Sequence, residues 1–412
     1  MSAHAFEPLE GYADLLGAEA VRRLRELAKP LRGARILHIS VTACDTHNAR
    51  ALSATVPLLQ DLGLDVRLAV PEPTHDLEQF SAPLLAAIQG DDRAWSPELE
   101  RAWRRYAQDC ASQFGPQADM VIVHDPHFLP LREALSSRPV GRSRWLWHCH
   151  LDLRDCEPHV FATLKDQMKG YAGVAVELPE FAGEQPLDTL ALIPPVIDPR
   201  AERNRELSAV TVDPVLRRLG IRPDLPLIVQ VSAFDKWDDP QSAVYTYQMA
   251  AKAVAKLQLA LVWTPDFPQG AGDDPFDRLS QSTHQNPSIH LLRQRDLSEV
   301  EINALQGAAL VAVHGGVHRG YSAALLESSW KGRPVLAGGC GALPEQIIHG
   351  TTGFVFESFT DAAERIAQLV ADPVLADTMG LAGHRLVRKN HLVIRWLEEY
   401  LKLMTPAGEQ VG

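Results

Sequence analysis

Two groups of residues in this sequence have types and spacings suited to chemistry. The first is a set of soft side chains at the ends of apolar runs: Cys44 and His47, His124 and His127, then His148, Cys149 and His150. The spacings CxxH, HxxH and HxH suit zinc or another transition ion, with Cys44, His47, His127 and His148 as one ligand set. The plainer reading is that HxH on a strand puts both rings on one face, with Cys149 pointing away, where imidazoles serve as hydrogen-bonding groups. No resident metal is expected on that reading, and a metal-dependent enzyme rests on the His/Cys count alone. The second group is Glu327 in ESSWKGRPV, followed by GGCGALPEQIIHGTTGFVF. A helix carrying Glu327 ends near Gly332, a strand follows, and Gly-rich turns bring backbone amides close to a ligand. There a carboxylate can accept both hydroxyls of a ribose. The alternative is a solvated glutamate on an amphipathic helix.

The elements that position these groups are legible as alternation. Apolar runs at Arg35–Val41, Asp65–Val70, Met120–Asp125, Trp145–His150, Gly173–Val176 and Leu190–Ile193 read as buried strands. Helix-period segments such as Ala49–Leu62 and Pro97–Phe114 lie between them. The pattern predicts α/β domains whose parallel sheets bind ligands beyond the carboxyl ends of the strands. The three-proline stretch Ile193–Asn204, IPPVIDPRAERN, interrupts it. A second series follows at Leu227–Ser232, Leu259–Trp263, Ile289–Leu292, Leu310–Val313, Val335–Ala337 and Phe354–Phe356. The predicted domains are 1–192 and 193–390, with 391–412 crossing back to the first. On the final helix, His391–Met404, the spacing puts Leu392, Trp396, Tyr400 and Leu403 on one face, and Thr405–Gly412 reads as a frayed tail.

Composition narrows the function classes. The 412 residues are 46% hydrophobic and 22% charged, ordinary globular usage for a chain too long for one core. A net charge of −12 disfavours nucleic acid and anionic membranes as partners. Five cysteines without a CxxC pair, no run of about 18 apolar residues and no signal-type N-terminus point to a soluble cytoplasmic protein with reduced thiols. A homodimer is the base-rate expectation.

Several long strings resemble retaining glycosyltransferases of family four, the nucleotide-sugar-dependent trehalose synthases above all. They are GYADLLGAEAVRRLRELAKPLRGARILHIS, IVHDPHFLPL, HCHLDL, ELPEF, IPPVIDP, VSAFDKW and the Glu327 block, spread end to end. The resemblance implies two facing Rossmann-like domains in the GT-B architecture, with a deep interdomain cleft. A nucleotide-diphosphate sugar would be held by the C-terminal domain, and a small sugar or other polar acceptor by the N-terminal one. It implies catalytic positions His150, Asp152 and Arg319, with His150 near the transferred sugar and Asp152 orienting acceptor hydroxyls or its own loop. Donor-binding positions would be Ser232, Lys236, Gly320, Tyr321, Ser322, Glu327 and Gly341. Acceptor-binding positions would be Asp45, His124, Asp125 and His127.

The sequence departs from the family pattern at the donor phosphates. Where members carry a glycine-rich loop it has Cys44-Asp45-Thr46-His47-Asn48-Ala49. The Arg and Lys expected on the diphosphate are Ala233 and Asp238, and the first of two glutamates eight positions apart is Arg319. An acidic group 4 Å from a phosphate charge costs about 4 kcal/mol at an effective dielectric near 20. Arg319 and Lys236 are the cations able to restore charge. The sequence therefore predicts a glycosyltransferase with an atypical donor or acceptor, and keeps open a non-catalytic homologue that binds a sugar or a partner.

Overall fold

The computed structural model describes residues 8–41, 47–114, 118–138, 142–182, 190–234, 238–264, 275–316, 321–339 and 343–405, with the side chains of His47 and Leu190 outside the description. The chain forms two compact units. Met1–Pro195 and Val393–Gly412 make the first, Val196–Leu392 the second. Each is built on a six-stranded sheet whose pairings are all parallel.

In the first unit β1 (Arg35–Ile39), β2 (Asp65–Ala69), β3 (Met120–Val123), β4 (Arg144–Cys149), β5 (Gly173–Val176) and β6 (Leu190–Leu192) lie in the order β2-β1-β3-β4-β5-β6. Strands β3 and β5 are buried at every position and β4 at all but its first. That is why MVIV, WLWHC and GVAV read as continuous apolar runs rather than alternating ones. The strand order reverses between β1 and β3, so the crevice beyond their carboxyl ends is a topological switch point.

In the second unit β7 (Leu227–Ser232), β8 (Gln258–Trp263), β9 (Ile289–Arg293), β10 (Val311–His314), β11 (Val335–Gly338) and β12 (Gly353–Phe356) take the order β12-β11-β10-β7-β8-β9. Its switch point falls between β7 and β10. Val229 and Leu305 pack in a core cluster on one side of this sheet, and Ile228, Leu259 and Ile366 in another.

The closing helix, Val393–Met404, belongs to the first unit. Trp396 and Tyr400 are fully buried, and the Trp396 indole N–H donates to the Pro194 carbonyl at 2.7 Å. One expectation for this helix is corrected. Met404 is buried on that face while Leu403 is half-buried, because positions four apart continue the Trp396–Tyr400 row and 403 falls one residue short. Thr405, placed in a frayed tail by the sequence, is buried, and both its amide and its hydroxyl donate to the Leu401 carbonyl. No helix among the described residues is long and apolar enough to cross a membrane.

Candidate functional site

The register of the first sheet gathers four imidazoles. His38 in β1 lies beside Ile122 in β3, and Val123 beside Trp147 in β4, so His124 and His148 continue the same row. With side chains alternating along each strand, His38, His124, His148 and His150 all fall on the face roofed by Trp396 and Tyr400. His38 Nδ1 is 2.9 Å from His124 Nε2, and His124 Nδ1 is 3.2 Å from His150 Nε2. His150 Nδ1 lies 3.5 Å from a carboxylate oxygen of buried Glu177. His148 Nδ1 is 2.7 Å from the Tyr400 hydroxyl.

The carboxylate gives this chain a direction. An ionised Glu177 can only accept, so its field favours the His150 tautomer with Nδ1–H towards it and Nε2 as acceptor, although the 3.5 Å contact is electrostatic and not a directed hydrogen bond. His124 then donates through Nδ1 and accepts through Nε2 from His38 Nδ1–H. Burial holds three of the rings neutral: His38 and His148 are pushed down to about 3, and His124 well below the ordinary histidine range, where neighbouring His38 and His148 add to the effect. The Ile193 backbone partly opposes the shift at His148.

Asp125 sits on the switch point itself. One of its oxygens accepts from the Ser40 hydroxyl at 2.9 Å and the Val41 amide at 2.7 Å, tying the end of β1 to the end of β3. Burial raises its pKa to about 6, with both hydrogen bonds pulling the other way. His127 turns to Ser81, 2.9 Å from its hydroxyl, and burial pushes it down to about 3. Asp152 holds its own loop: its carboxylate accepts from the Arg154 amide at 3.0 Å and from the Arg154 guanidinium at 2.6–3.0 Å. Among the described residues the metal-type grouping that the fold assembles is His124, His148 and His150, not one containing His127. Cys44 and Asp45 lie outside the described residues, as does the side chain of His47.

In the second unit the Asp238 carboxylate turns inward. It accepts the Ala233 amide at 2.6 Å and lies 3.5 Å from His314 Nε2, so it caps the turn after β7 and meets the end of β10 across the switch point. Gln230 adds bonds to the Ser232 hydroxyl and the Asp238 carbonyl. At Ser322 the amide and carbonyl are both clamped by the Gln346 side chain, each at 2.9 Å, and its hydroxyl accepts the Leu325 amide to start the helix Ala323–Trp330. Tyr321 packs its ring against His391. Lys236, Arg319, Gly320 and Gly341 lie outside the described residues.

Glu327 is not a solvated residue. It is 2% exposed, and its Oε2 accepts from Gln306 Nε2 at 2.8 Å and lies 3.2 Å from Arg203 Nε. The Arg203 contact is an ion pair, not a directed hydrogen bond, since that N–H is not aimed along it. Arg203 also donates to both oxygens of Glu299 at 2.9–3.0 Å, and Lys331 bridges Gln306 and Asn204. Sequence reasoning singled out none of His38, Glu177, Arg203 or Gln306 as site residues. The nearest signals are the His inside the apolar run RILHI, the string ELPEF and the arginines within the three-proline stretch.

Comparison with known proteins follows these two units. The model of the trehalose synthase N-terminal domain matches residues 38–183, and that of glycosyl transferases group 1 matches residues 214–385. The trehalose synthase of Rubrobacter xylanophilus is 31% identical over 402 residues, 96% of each chain. That of Pyrococcus horikoshii is 28% identical, over 97% of this chain and 96% of its own. Among solved structures, the α,α-trehalose 6-phosphate synthase of Burkholderia multivorans superposes with a TM-score of 0.69 at 14% identity, covering 90% of this chain and 98% of its own. Anabaena HepE in complex with UDP and glucose gives 0.66 at 13%, covering 90% and 99%. At these identities the two structures speak for the fold, the two-Rossmann-domain GT-B class.

Proposed function

Since the chain belongs to the trehalose synthase family of glycosyltransferases, we propose that it is a retaining transferase moving a sugar from a nucleotide-diphosphate donor to a small polar acceptor such as a sugar. The observation that carries this reading is His150 at the carboxyl end of β4, backed by Glu177 and flanked by His124 at the switch point where α/β sheets take their ligands. Glu177 fixes the imidazole so that Nε2 accepts; a sugar hydroxyl entering beside His150 donates to that nitrogen in place of His124. Asp152, clamped by Arg154, keeps the loop after β4 in one shape.

The chemistry needs no protein nucleophile. The bond from the anomeric carbon to the donor phosphate breaks as the acceptor oxygen attacks from the same face, and the acceptor proton passes to the departing phosphate oxygen. The demand on the protein is charge stabilisation of that phosphate, where one lost donor costs on the order of a hundredfold or more in rate. Neither Ala233 nor the inward-turned Asp238 meets it, so Arg319 and Lys236 are the side chains proposed to do so, while Tyr321, Ser322 and Glu327 hold the nucleoside end.

The test is calorimetric titration with UDP, ADP and GDP, followed by incubation of the matching glucose donors with glucose and other polyols. Release of nucleoside diphosphate with an α-linked product, lost in Arg319→Ala, supports the transferase. The second reading, a non-catalytic homologue, is favoured by one observation: the Asp238 carboxylate is spent on the Ala233 amide where the family places a phosphate-binding cation. Absence of nucleotide binding in both proteins selects it.

A further inference from the structure

We propose that His124, His148 and His150 form a binding site for a divalent transition ion of the zinc class. The site is assembled by the sheet: the first two rings are carried side by side on neighbouring parallel strands, and the third lies two residues on from the second. One ring nitrogen from each lies within 4.8 Å of those of the other two. His124 Nδ1 and His150 Nε2 are already 3.2 Å apart, close to the roughly 3.3 Å separating two nitrogens bound at about 2.0–2.1 Å to one tetrahedral ion. His148 is the independent pointer. It is 1% exposed, and its Nε2 is buried with no partner at hydrogen-bonding length.

Two of the rings are hydrogen-bonded at the other nitrogen, as metal-ligating imidazoles are, and the third faces a carboxylate. His148 Nδ1 meets the Tyr400 hydroxyl, His124 Nε2 meets His38 Nδ1, and His150 Nδ1 faces Glu177. When an ion is bound both rings change tautomer: the Nδ1 proton of His124 leaves to solvent, the proton of His38 Nδ1 passes to His124 Nε2, and His38 takes up one at Nε2, so that His124 Nε2–H donates to His38 Nδ1 and both rings stay neutral. The Glu177 carboxylate offsets part of the ion's charge in this buried place. Three nitrogen donors select zinc, cobalt, nickel or copper over magnesium and calcium, which take oxygen ligands. The thiol of Cys149 takes no part, because it contacts the Leu151 carbonyl and burial raises its pKa far above that of a ready thiolate. The ordinary alternative is a purely hydrogen-bonded row, His38 to His124 to His150, which accounts for every nitrogen of His124 but gives His148 Nε2 no role.

The ion and the sugar hydroxyl of the proposed function would compete for His150 Nε2, and the metal site is tested without an activity assay. The full chain, stripped with a chelator and dialysed, is titrated with Zn2+ against a chromophoric competitor, and with Co2+ followed by visible absorption. The expected result is one equivalent bound with a dissociation constant of about a micromolar or tighter, and the ligand-field bands of low-coordinate cobalt. His148→Gln should lower the affinity at least about a hundredfold, and Tyr400→Phe by about ten- to a hundredfold. Circular dichroism and the urea midpoint show whether each variant is folded; if His148→Gln is not, Tyr400→Phe and His124→Gln carry the test. Failure to bind one equivalent, or binding and cobalt spectra unchanged in the folded variants, overturns the proposal in favour of the hydrogen-bonded row.

Discussion

Replacing Arg203 with Met should destabilise the second unit more than most single substitutions in this protein. The side chain is 2% exposed and serves two carboxylates, Glu327 at 3.2 Å and Glu299 at 2.9–3.0 Å. Methionine fills much of the same volume, so the cost is electrostatic. Glu299 is part-exposed and can turn to water, but Glu327 is as buried as Arg203 and loses the guanidinium beside its Oε2. Removing one member of a buried pair typically costs about 3–5 kcal/mol, because an uncompensated charge remains. Glu327→Gln should cost less, about 1–3 kcal/mol, since Arg203 retains Glu299. The double variant separates the terms: with no buried charge left at 327 it should be more stable than the sum of the single losses predicts, by about 0.5–3 kcal/mol of coupling. The assay is urea unfolding followed by circular dichroism and by tryptophan fluorescence, to which Trp330 contributes with its indole N–H donating to the Asn204 carbonyl beside this network. A loss under about 0.5 kcal/mol for Arg203→Met, or strict additivity in the cycle, would refute the reasoning. The same Glu327→Gln protein separates roles, because a residue that only locks the fold leaves nucleotide affinity unchanged.

Other outcomes follow from the geometry. His38 and His127 have folded values of about 3 against an ordinary 6.5, so the unfolded chain binds protons first, and stability is lost as pH falls below about 6.5 towards 3. Between pH 7 and 5 each such imidazole should cost about 2 kcal/mol, read as a lower urea midpoint; Asp125, raised to about 6, opposes this by about 1 kcal/mol because its folded form takes up a proton over the same interval. Gln346→Ala should cost about 1–3 kcal/mol by freeing the amide and carbonyl of Ser322, measured by thermal unfolding. Gly315→Ala would place a methyl 1.9 Å from the Ser242 hydroxyl and should cost about 1–3 kcal/mol, with part of that loss recovered in the Gly315→Ala/Ser242→Gly pair.

What the sequence disclosed depended on how local the signal was. MVIV and WLWHC carry their burial in their own composition, so β3 and β4 could be read directly, and with them the positions of His124, His148 and His150. His38 is enclosed in the run RILHI and looks like a strand residue, because its meaning comes from His124, 86 positions away. Tyr400 reads as packing, and its hydroxyl gains a role only when the closing helix returns over a strand 252 residues earlier. Arg203 lies in the three-proline stretch that interrupts the alternation; its partners Glu299 and Glu327 are fixed by packing of elements that no spacing rule connects. Asp238 was recognised as an inversion of charge, but a sequence cannot tell an acid that repels a ligand from one that caps the backbone, and its 2.6 Å bond to the Ala233 amide makes it a cap.

The discontinuity of the first unit bears on how the protein is made. Its sheet has been synthesised by Pro195, but the helix bearing Trp396 and Tyr400 follows only after the whole of Val196–Leu392. At about 5–20 residues per second, that interval is roughly 10–40 s. Until then the imidazole row has no roof, and the buried side of β1, β3 and β4 stays open to water and to chaperones. The later half, continuous in sequence, can complete its fold first. Biosynthesis thus runs against chain order, and a chain released after Leu392 should carry a finished second unit beside an unfinished first.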